Sequence, residues 1–376
     1  AEALAGIAPA DPAYAALRAE RARLVASIEA GAAAGPAAIP AGPTLRSGDA
    51  GPRVAALRGR LAARGFVAES PDPARFDPPL EAALIAFQAA EGLEADGLAG
   101  ARTLAALNAG PEDRLRQVLV NLERLRWMNR DLGARHLYAN VADQTLRLVE
   151  DGETVWRTRT IVGQTTGTRT PEFSEEMTYL VVNPTWHIPD SIAQRVYLPK
   201  LKADPGVLRR SNMRLFTRGG TEIDPGLVDF TRYGAGNFPF RIKQNPSAEN
   251  ALGTVKFMFP NQFSIYLHDT PNRALFARAE RAFSNGCVRV ERPEELAALL
   301  LAGQVEDPAA AFAGWVAAGA ERYVTLRRPI PVHIVYRTVD LDEEGRLAYR
   351  PDLYGRDGRV FRALEAAGVA LPAAQG

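Results

Sequence analysis

The sequence predicts a multidomain α+β protein, with a helical first third followed by a mostly β region that carries a helical insertion. Three observations lead there. The chain has 376 residues, 47% hydrophobic and 24% charged, which is ordinary globular material too long for one core. Up to residue 130 the apolar side chains recur at helical spacing, and from residue 136 they alternate or run in short β-branched and aromatic stretches. Between the first helix and the rest lies GAAAGPAAIPAGPTL, residues 31–45, whose Gly, Pro and Ala content reads as a linker.

Composition also excludes function classes. A net charge of +1 with interspersed signs gives no basic stripe to follow a phosphate backbone, so nucleic acid is not an expected partner. No apolar run approaches the roughly 20 residues that span a bilayer, so no transmembrane segment is expected. The chain opens on AEALAGIAPADPAY, without a charged stretch leading into an apolar one; the protein is either cytosolic or has had a signal peptide removed. A single cysteine, Cys287, cannot form an internal disulfide.

Residues 11–30, DPAYAALRAERARLVASIEA, have helical spacing, with Asp11 as cap and Pro12 at the first helical position. Together with the linker they make an N-terminal scaffold, residues 1–42. Residues 43–109 read as a compact helical module. Leu45, Val54, Leu57 and Leu61 supply one face and Ala83, Leu84 and Phe87 another, with Gly-centred turns SGDAG (47–51) and DGLAG (96–100) before the first and last helices. Residues 111–130 form a further amphipathic helix through Leu115, Val118, Leu119, Leu122 and Leu125 or Trp127, and 110–133 is the connecting segment. The β-rich domain spans 134–338, with strands expected in HLYANV, QTLRLVEDGETVWRTRTIVG, EMTYLVVNP, VKFMF, SIYLHD, CVRVE and PVHIVYRTV. Residues 189–250 interrupt it, largely helical to Phe216 and then turn-rich. An insertion of this size is either a functional lid or a packing subdomain. Residues 339–376 are expected to be a C-terminal tail with a short helix.

The chemistry centres on Cys287. A lone cysteine is compatible with a small buried hydrophobe or with a nucleophile. Alternation places Ile265 and Leu267 on one face of SIYLHD and Tyr266 and His268 on the other; in CVRV it places Val288 and Val290 inward, with Cys287 and Arg289 together opposite. If the two strands are neighbours, His268 meets Cys287 and can take the thiol proton. Asn285 and Gly286 supply a tight turn whose backbone N–H groups, that of Cys287 included, form an oxyanion hole. Arg289 favours the thiolate or grips a substrate carboxylate. The implied chemistry is acyl transfer through a thioester. His333 and His136 read as structural, in the core or at an edge and at the surface respectively. No Cys and His spacing fits zinc and no phosphate loop follows a strand, so no cofactor is expected.

Two stretches resemble known families. The pattern G-D-x-G-x-x-V-x-x-L-x-x-x-L, then A-L-x-x-F-Q, then G-L-x-x-D-G-x-x-G-x-x-T-x-x-x-L within 45–108 is similar to the three-helix peptidoglycan-binding module. HDTP (268–271), fourteen residues from Asn272 to Asn285, and GCVRV (286–290) resemble the active-site signature of the YkuD-type L,D-transpeptidases, S-[HSN]-G-C-[VI]-R. Ser284, Gly286, Cys287 and Arg289 match it, and Asn285 stands where many members have His or Ser. TPEF (170–173), NPTWHIP (183–189), NALG (250–253) and KFMFPN (256–261) also look like that family, above all its large periplasmic subgroup with a peptidoglycan-binding module and a capping insertion.

The resemblance implies an enzyme in which Cys287, His268, Gly286 and Arg289 are catalytic, while Tyr266, Asp269, Asn285, Ser284, Trp186 and His187 contact substrate. It further implies tetrapeptide stem donors and amine acceptors of peptidoglycan as partners, acylation by carbapenems, a periplasmic location, and a part in cell wall biogenesis and cell shape. A carboxypeptidase, a transferase to a protein amine, and a non-catalytic wall-binding scaffold remain alternatives.

Overall fold

The computed structural model describes residues 8–9, 11–30, 36–128, 131–342 and 344–372; most of the linker's Gly-Ala run, residues 31–35, lies outside them. Helix α1, Pro12–Glu29, begins where the sequence places it, with the Asp11 carboxylate accepting from Ala13 N–H at 2.9 Å. The module follows as α2 (Pro52–Ala62), α3 (Pro78–Ala90) and α4 (Ala101–Asn108). Val54, Leu57, Leu61, Leu80, Leu84 and Phe87 are all buried in one cluster, each contributing about 1.5–3 kcal/mol by burial. One polar group is enclosed with them. Gln88 donates from Nε2 to Asp96, Leu98 O and Thr103, and accepts from Gly97 N–H at 3.0 Å, so the turn before α4 is tied to α3 through a satisfied side chain.

Helix α5, Pro111–Trp127, packs through Leu115, Val118, Leu122 and Leu125 on Leu17, Leu24 and Ile28 of α1. Trp127 is not on that face; it is exposed, with Nε1 on Glu123 at 2.9 Å.

The β region begins with β1 (Arg135–Asn140), β2 (Thr145–Glu150), β3 (Glu153–Gly163), β4 (Phe173–Val182) and β5 (Trp186–His187). The insertion then adds the short helices α6 (Leu198–Ala203) and α7 (Val207–Arg210) and strands β6 (Met213–Thr217), β7 (Glu222–Ile223) and β8 (Phe240–Gln244). The insertion is helical over 190–203 and 207–210, as expected, and the expectation is corrected only beyond that. Met213–Thr217, read as the end of a helix, is the central strand of a four-stranded sheet ordered β5-β8-β6-β7. Its own core contains Ile188, Leu201, Leu208, Leu215, Phe230 and Ile242. β-pairing at that range overrides local spacing.

The main sheet is completed by β9 (Val255–Met258), β10 (Leu267–His268), β11 (Ala282–Ser284), β12 (Val288–Val290) and, after helices α8 (Pro293–Leu301) and α9 (Pro308–Ala317), by β13 (Arg322–Val335). Its order is β11-β3-β12-β10-β9-β4-β13-β1-β2, and β2 also pairs β3, closing the sheet on itself. Leu137, Leu146, Leu180, Phe257, Leu267, Val288 and Val290 fill the inside with Leu296 and Leu301 of α8.

Residues beyond 338 are not a tail. Strands β14 (Val339–Leu341) and β15 (Leu347–Tyr349) form a hairpin, and helix α10 (Asp357–Ala366) returns to α5, where the buried Arg124 pairs Asp357 at 2.6 Å. Tyr354 is 2% exposed and stacks on Tyr336 at 5.5 Å. Its hydroxyl donates to Gly163 O at 2.7 Å and accepts from Thr170 N–H at 3.2 Å. Among the described residues no helix is long and apolar enough to cross a membrane.

Tyr354→Phe leaves both Gly163 O and Thr170 N–H without this partner, at about 1–3 kcal/mol for each buried group left unpaired. Chemical denaturation is expected to show a lower midpoint, and an unchanged midpoint contradicts this place for the C-terminal segment in the catalytic core.

Candidate active site

Strands β10 and β12 are direct neighbours, paired in parallel with Leu267 opposite Val288 and His268 opposite Arg289. Leu267, Val288 and Val290 are fully buried in the core, so Tyr266, His268, Cys287 and Arg289 share the other face, as the alternation requires. Each short strand is held by a longer neighbour: β9 pairs β10 through Lys256 and Phe257, and β3 pairs β12 through Ile161 and Thr160.

His268 is buried and its Nδ1 meets Asp269 O at 2.5 Å. A carbonyl only accepts, so Nδ1 carries the proton and Nε2 keeps its lone pair. Burial, together with the Arg289 cation, pushes the imidazole down to about 3. Cys287 is partly accessible, with Sγ 3.8 Å from Ser264 O. Burial pushes its thiol up to about 11, against the lowering influence of Tyr266 and Arg289. At neutral pH the pair is therefore thiol and neutral imidazole, and no direct Sγ–imidazole hydrogen bond is formed. The thiolate has to be made as substrate arrives rather than held in advance.

The turn before the thiol is built by buried hydroxyls. Ser284 Oγ donates to Cys287 O at 2.5 Å and accepts from Gly286 N–H at 3.0 Å. Thr170 Oγ1 donates to Gly286 O at 2.8 Å and accepts from Gly163 N–H at 2.9 Å. Gly286 itself has φ +115°, a conformation that needs glycine. These bonds correct two expectations. Ser284, 1% exposed, shapes the turn and does not face substrate, and Gly286 N–H is engaged by Ser284, so the turn amide open to an oxyanion is that of Cys287.

Asp269 is corrected likewise. Its carboxylate accepts from Thr254 N–H and Oγ1 at 2.8 and 3.0 Å, from Thr270 N–H at 2.6 Å and from Arg273 at 3.1 Å, which occupies its lone pairs and anchors the turn after His268. A Cβ on Gly253 sits 2.1 Å from Asp269 Oδ2, which is why the NALG stretch ends in glycine. Asn250, fully buried, donates to Pro184 O and Asn245 O and so joins that stretch to NPTWHIP. Asn261 holds Phe259 O and Ile265 O, each at 2.7 Å, which sets the turn into β10. Sequence motifs far apart in the chain thus converge as supports of one strand pair.

The remaining residues come from the edges. Tyr266 is half-buried against the core; its hydroxyl interacts with both Cys287 and Trp186, and burial raises its pKa. Asn285 is exposed and its Oδ1 accepts from Arg195 of the insertion at 2.6 Å, so the insertion touches the thiol turn directly. His187 is exposed on β5, its pKa lowered by burial and Lys243. Arg289 is part-buried, and its Nε is buried without a hydrogen-bond partner. His333 is satisfied by Ser174 Oγ at 2.8 Å and Leu132 O at 2.9 Å. His136, expected at the surface, is buried edge-on to His333 with Nδ1 on Gly133 O. Among the described residues no group of three or more His, Cys, Asp or Glu side chains is placed to hold a metal. A cavity of 430 Å³ opens between α4, α5 and α10, lined by Leu93, Ala105, Val120 and Phe361 among others, and none of the residues discussed above as site residues borders it.

Two outcomes follow from this geometry. Alkylation of Cys287 by iodoacetamide is expected to accelerate steadily from pH 7 to 10, because a thiol titrating near 11 gains thiolate over that whole interval; a plateau reached near pH 7 contradicts the neutral pair. Ser284→Ala is expected to slow thiol acylation about tenfold, the equivalent of ~1.4 kcal/mol, with an unchanged circular dichroism spectrum, and a rate equal to the parent's contradicts the clasp.

Comparison with known proteins finds two family matches. Residues 134–316 match the family described as "L,D-transpeptidase catalytic domain", and residues 50–107 match the "Putative peptidoglycan binding domain". A Haemophilus influenzae protein named "Putative L,D-transpeptidase" is 36% identical over 226 residues, 60% of this chain and 45% of its own length. The chain thus spans less than half of that relative. Among solved structures, an L,D-transpeptidase fragment from Xylanimonas cellulosilytica is 17% identical, covering 79% of this chain and 99% of its own, with a TM-score of 0.24. One from Stackebrandtia nassauensis is 15% identical, covering 78% and 97%, with a TM-score of 0.27. By these family matches, residues 134–316 resemble an L,D-transpeptidase catalytic domain of the YkuD type, and residues 50–107 resemble a peptidoglycan-binding domain.

Proposed function

We propose that the protein is a cell-wall L,D-transpeptidase that forms 3-3 crosslinks between peptidoglycan stems through a thioester on Cys287. The observation that carries this is the parallel pairing of β10 with β12, which sets a histidine of defined tautomer and the one cysteine on a common face. Cys287 Sγ attacks the carbonyl of the third stem residue, usually diaminopimelate, as His268 Nε2 takes the thiol proton. The oxyanion forms beside Cys287 N–H. Collapse expels the terminal D-alanine, whose amine receives the proton back from His268, and leaves the thioester. An acceptor amine then attacks, His268 takes its proton, and the thiol is released with the new amide.

Arg289 suits a carboxylate. Its buried, unpartnered Nε gains a charge-assisted bond when a stem carboxylate docks, and masking the cation also relieves the influence that depresses His268. The insertion stands over the thiol turn through Arg195 and Asn285 and limits the water that competes with the acceptor amine. That arrangement favours transpeptidation over the carboxypeptidase reading, and the same thiol suits acylation by the strained carbonyl of a carbapenem. On this reading the protein works at the cell wall, in the periplasm, with a part in cell wall biogenesis and cell shape.

Intact-protein mass spectrometry tests this. The parent protein, Cys287→Ala and His268→Gln are each incubated with a carbapenem and then with disaccharide tetrapeptide. The parent is expected to give adduct and crosslinked dimer, Cys287→Ala neither, and His268→Gln a rate lower by ~10²–10⁴-fold. Release of D-alanine without dimer makes the protein a carboxypeptidase instead, and a parent with neither adduct nor product leaves a wall-binding scaffold as the better account.

A further inference from the structure

Between the strands that carry His268 and Cys287 runs a crossover containing a 3-10 turn, Arg273–Ala277, and the segment 278–281. Arg281 ends that segment, next to β11, and is 8% exposed. Its guanidinium makes no ion pair within the described residues. It donates instead to four backbone carbonyls: Nε to Thr160 O at 3.0 Å, one terminal nitrogen to Arg278 O at 2.8 Å and Ala279 O at 3.0 Å, and the other to Gln144 O at 3.1 Å. Its own N–H donates to Gln144 Oε1 at 2.8 Å, and its carbonyl accepts from Val162 N–H at 2.9 Å. Burial lowers the group only to about 10, so it remains a cation at neutral pH.

A buried cation with no carboxylate in direct contact, only the charges of Asp143 and Glu291 nearby, is costly to keep, and what it holds explains its place. Thr160 lies on β3 opposite Val290 of β12, while Val162 and Gly163 of the same strand pair with Ala282 and Ser284 of β11. Strand β3 therefore grips the reactive turn on both flanks, and Arg281 fastens the entry of that turn to β3, to the β1–β2 turn at Gln144 and to the preceding loop at once. Only a planar fork with several donors reaches acceptors on three segments; an ammonium reaches fewer. The opposite side of the same segment meets the peptidoglycan-binding module, through ion pairs Arg102–Glu280 and Arg278–Glu94.

We propose that Arg281 is a positioning residue for acyl transfer, which fixes the turn bearing the Cys287 thiol and its amide relative to His268. This rests on the thioester reading above. The position acts on rate and not on affinity, because the guanidinium's hydrogen bonds all go to backbone carbonyls of β3 and of turns, and none to Arg289 or Tyr266.

The test uses the full chain as wild type, Arg281→Lys and Arg281→Met. Reactive sites are first counted by carbapenem acylation and intact mass, and kcat and KM for disaccharide tetrapeptide are then measured per counted site. The expected result is a kcat at least tenfold lower for Arg281→Met, an intermediate value for Arg281→Lys, and KM within twofold of wild type for both. A merely structural role reduces the number of folded sites and leaves kcat per site unchanged, and that result overturns the proposal. Should Arg281→Met fail to fold, wild-type kcat per site in Arg281→Lys overturns it equally. A wild-type chain that takes no adduct on Cys287 removes the thioester reading itself, which is a different outcome from unchanged variants.

Discussion

The pairing of β10 with β12 is the constraint on which the rest depends. It involves two residues of one strand and three of the other, too little to persist alone. In parallel pairing the connection must cross over, which takes a dozen or more residues, and here that connection is the stretch after His268. A slip of one residue would turn Leu267 outward and His268 into the core. The surroundings oppose such a slip at each end. Asp269 and Gly253 lock the turn after His268, Asn261 sets the entry to β10, and Ser284 with Thr170 fixes the turn before Cys287. Tyr354 then secures the Thr170 segment to Gly163 from the C-terminal side.

The same enclosure sets the electrostatics. Burial disfavours both the imidazolium and the thiolate, so the resting site stores neither charge. Arg289 acts on the two groups in one sense: its positive charge lowers the thiol's pKa and lowers that of the histidine. It thereby favours losing the thiol proton and disfavours placing that proton on His268. An anionic group of a ligand against Arg289 would shift this balance toward the imidazolium, while an oxyanion next to the Cys287 amide takes over the negative charge from sulfur. Proton transfer and bond formation are in this way tied to occupancy of the site.

Much of this was legible in the sequence. Period-two alternation in SIYLHD and CVRV correctly puts Leu267, Val288 and Val290 in the core and Tyr266, His268, Cys287 and Arg289 opposite, because alternation is a local property of extended chain. Ser284 and Asp269 were misjudged as substrate contacts because a polar side chain beside a reactive residue looks the same in one dimension whether it faces outward or into the turn. The insertion's sheet was missed for a related reason: β5 and β7 are two residues long, and the partner of β5, strand β8, lies more than fifty residues along the chain. Arg281 and Tyr354 left little local signal, since the acceptors that tie them to the catalytic sheet, Thr160 O and Gln144 O for Arg281 and Gly163 O for Tyr354, lie more than a hundred residues distant.

The placement of the module follows from similar long-range contacts. Arg350 reaches Asp143 in the β1–β2 turn at 2.7 Å and Ala90 at the end of α3 at 3.1 Å, and Arg114 of α5 pairs Glu91 at 2.7 Å. A module on a flexible tether raises only the local concentration of what it binds. One seated by the part-buried Arg350 and Arg114 and by the exposed pairs Arg102–Glu280 and Arg278–Glu94 also has a fixed orientation. The contacts that seat it, at Arg350, Glu280 and Arg278, adjoin the residues that hold the thiol turn in place.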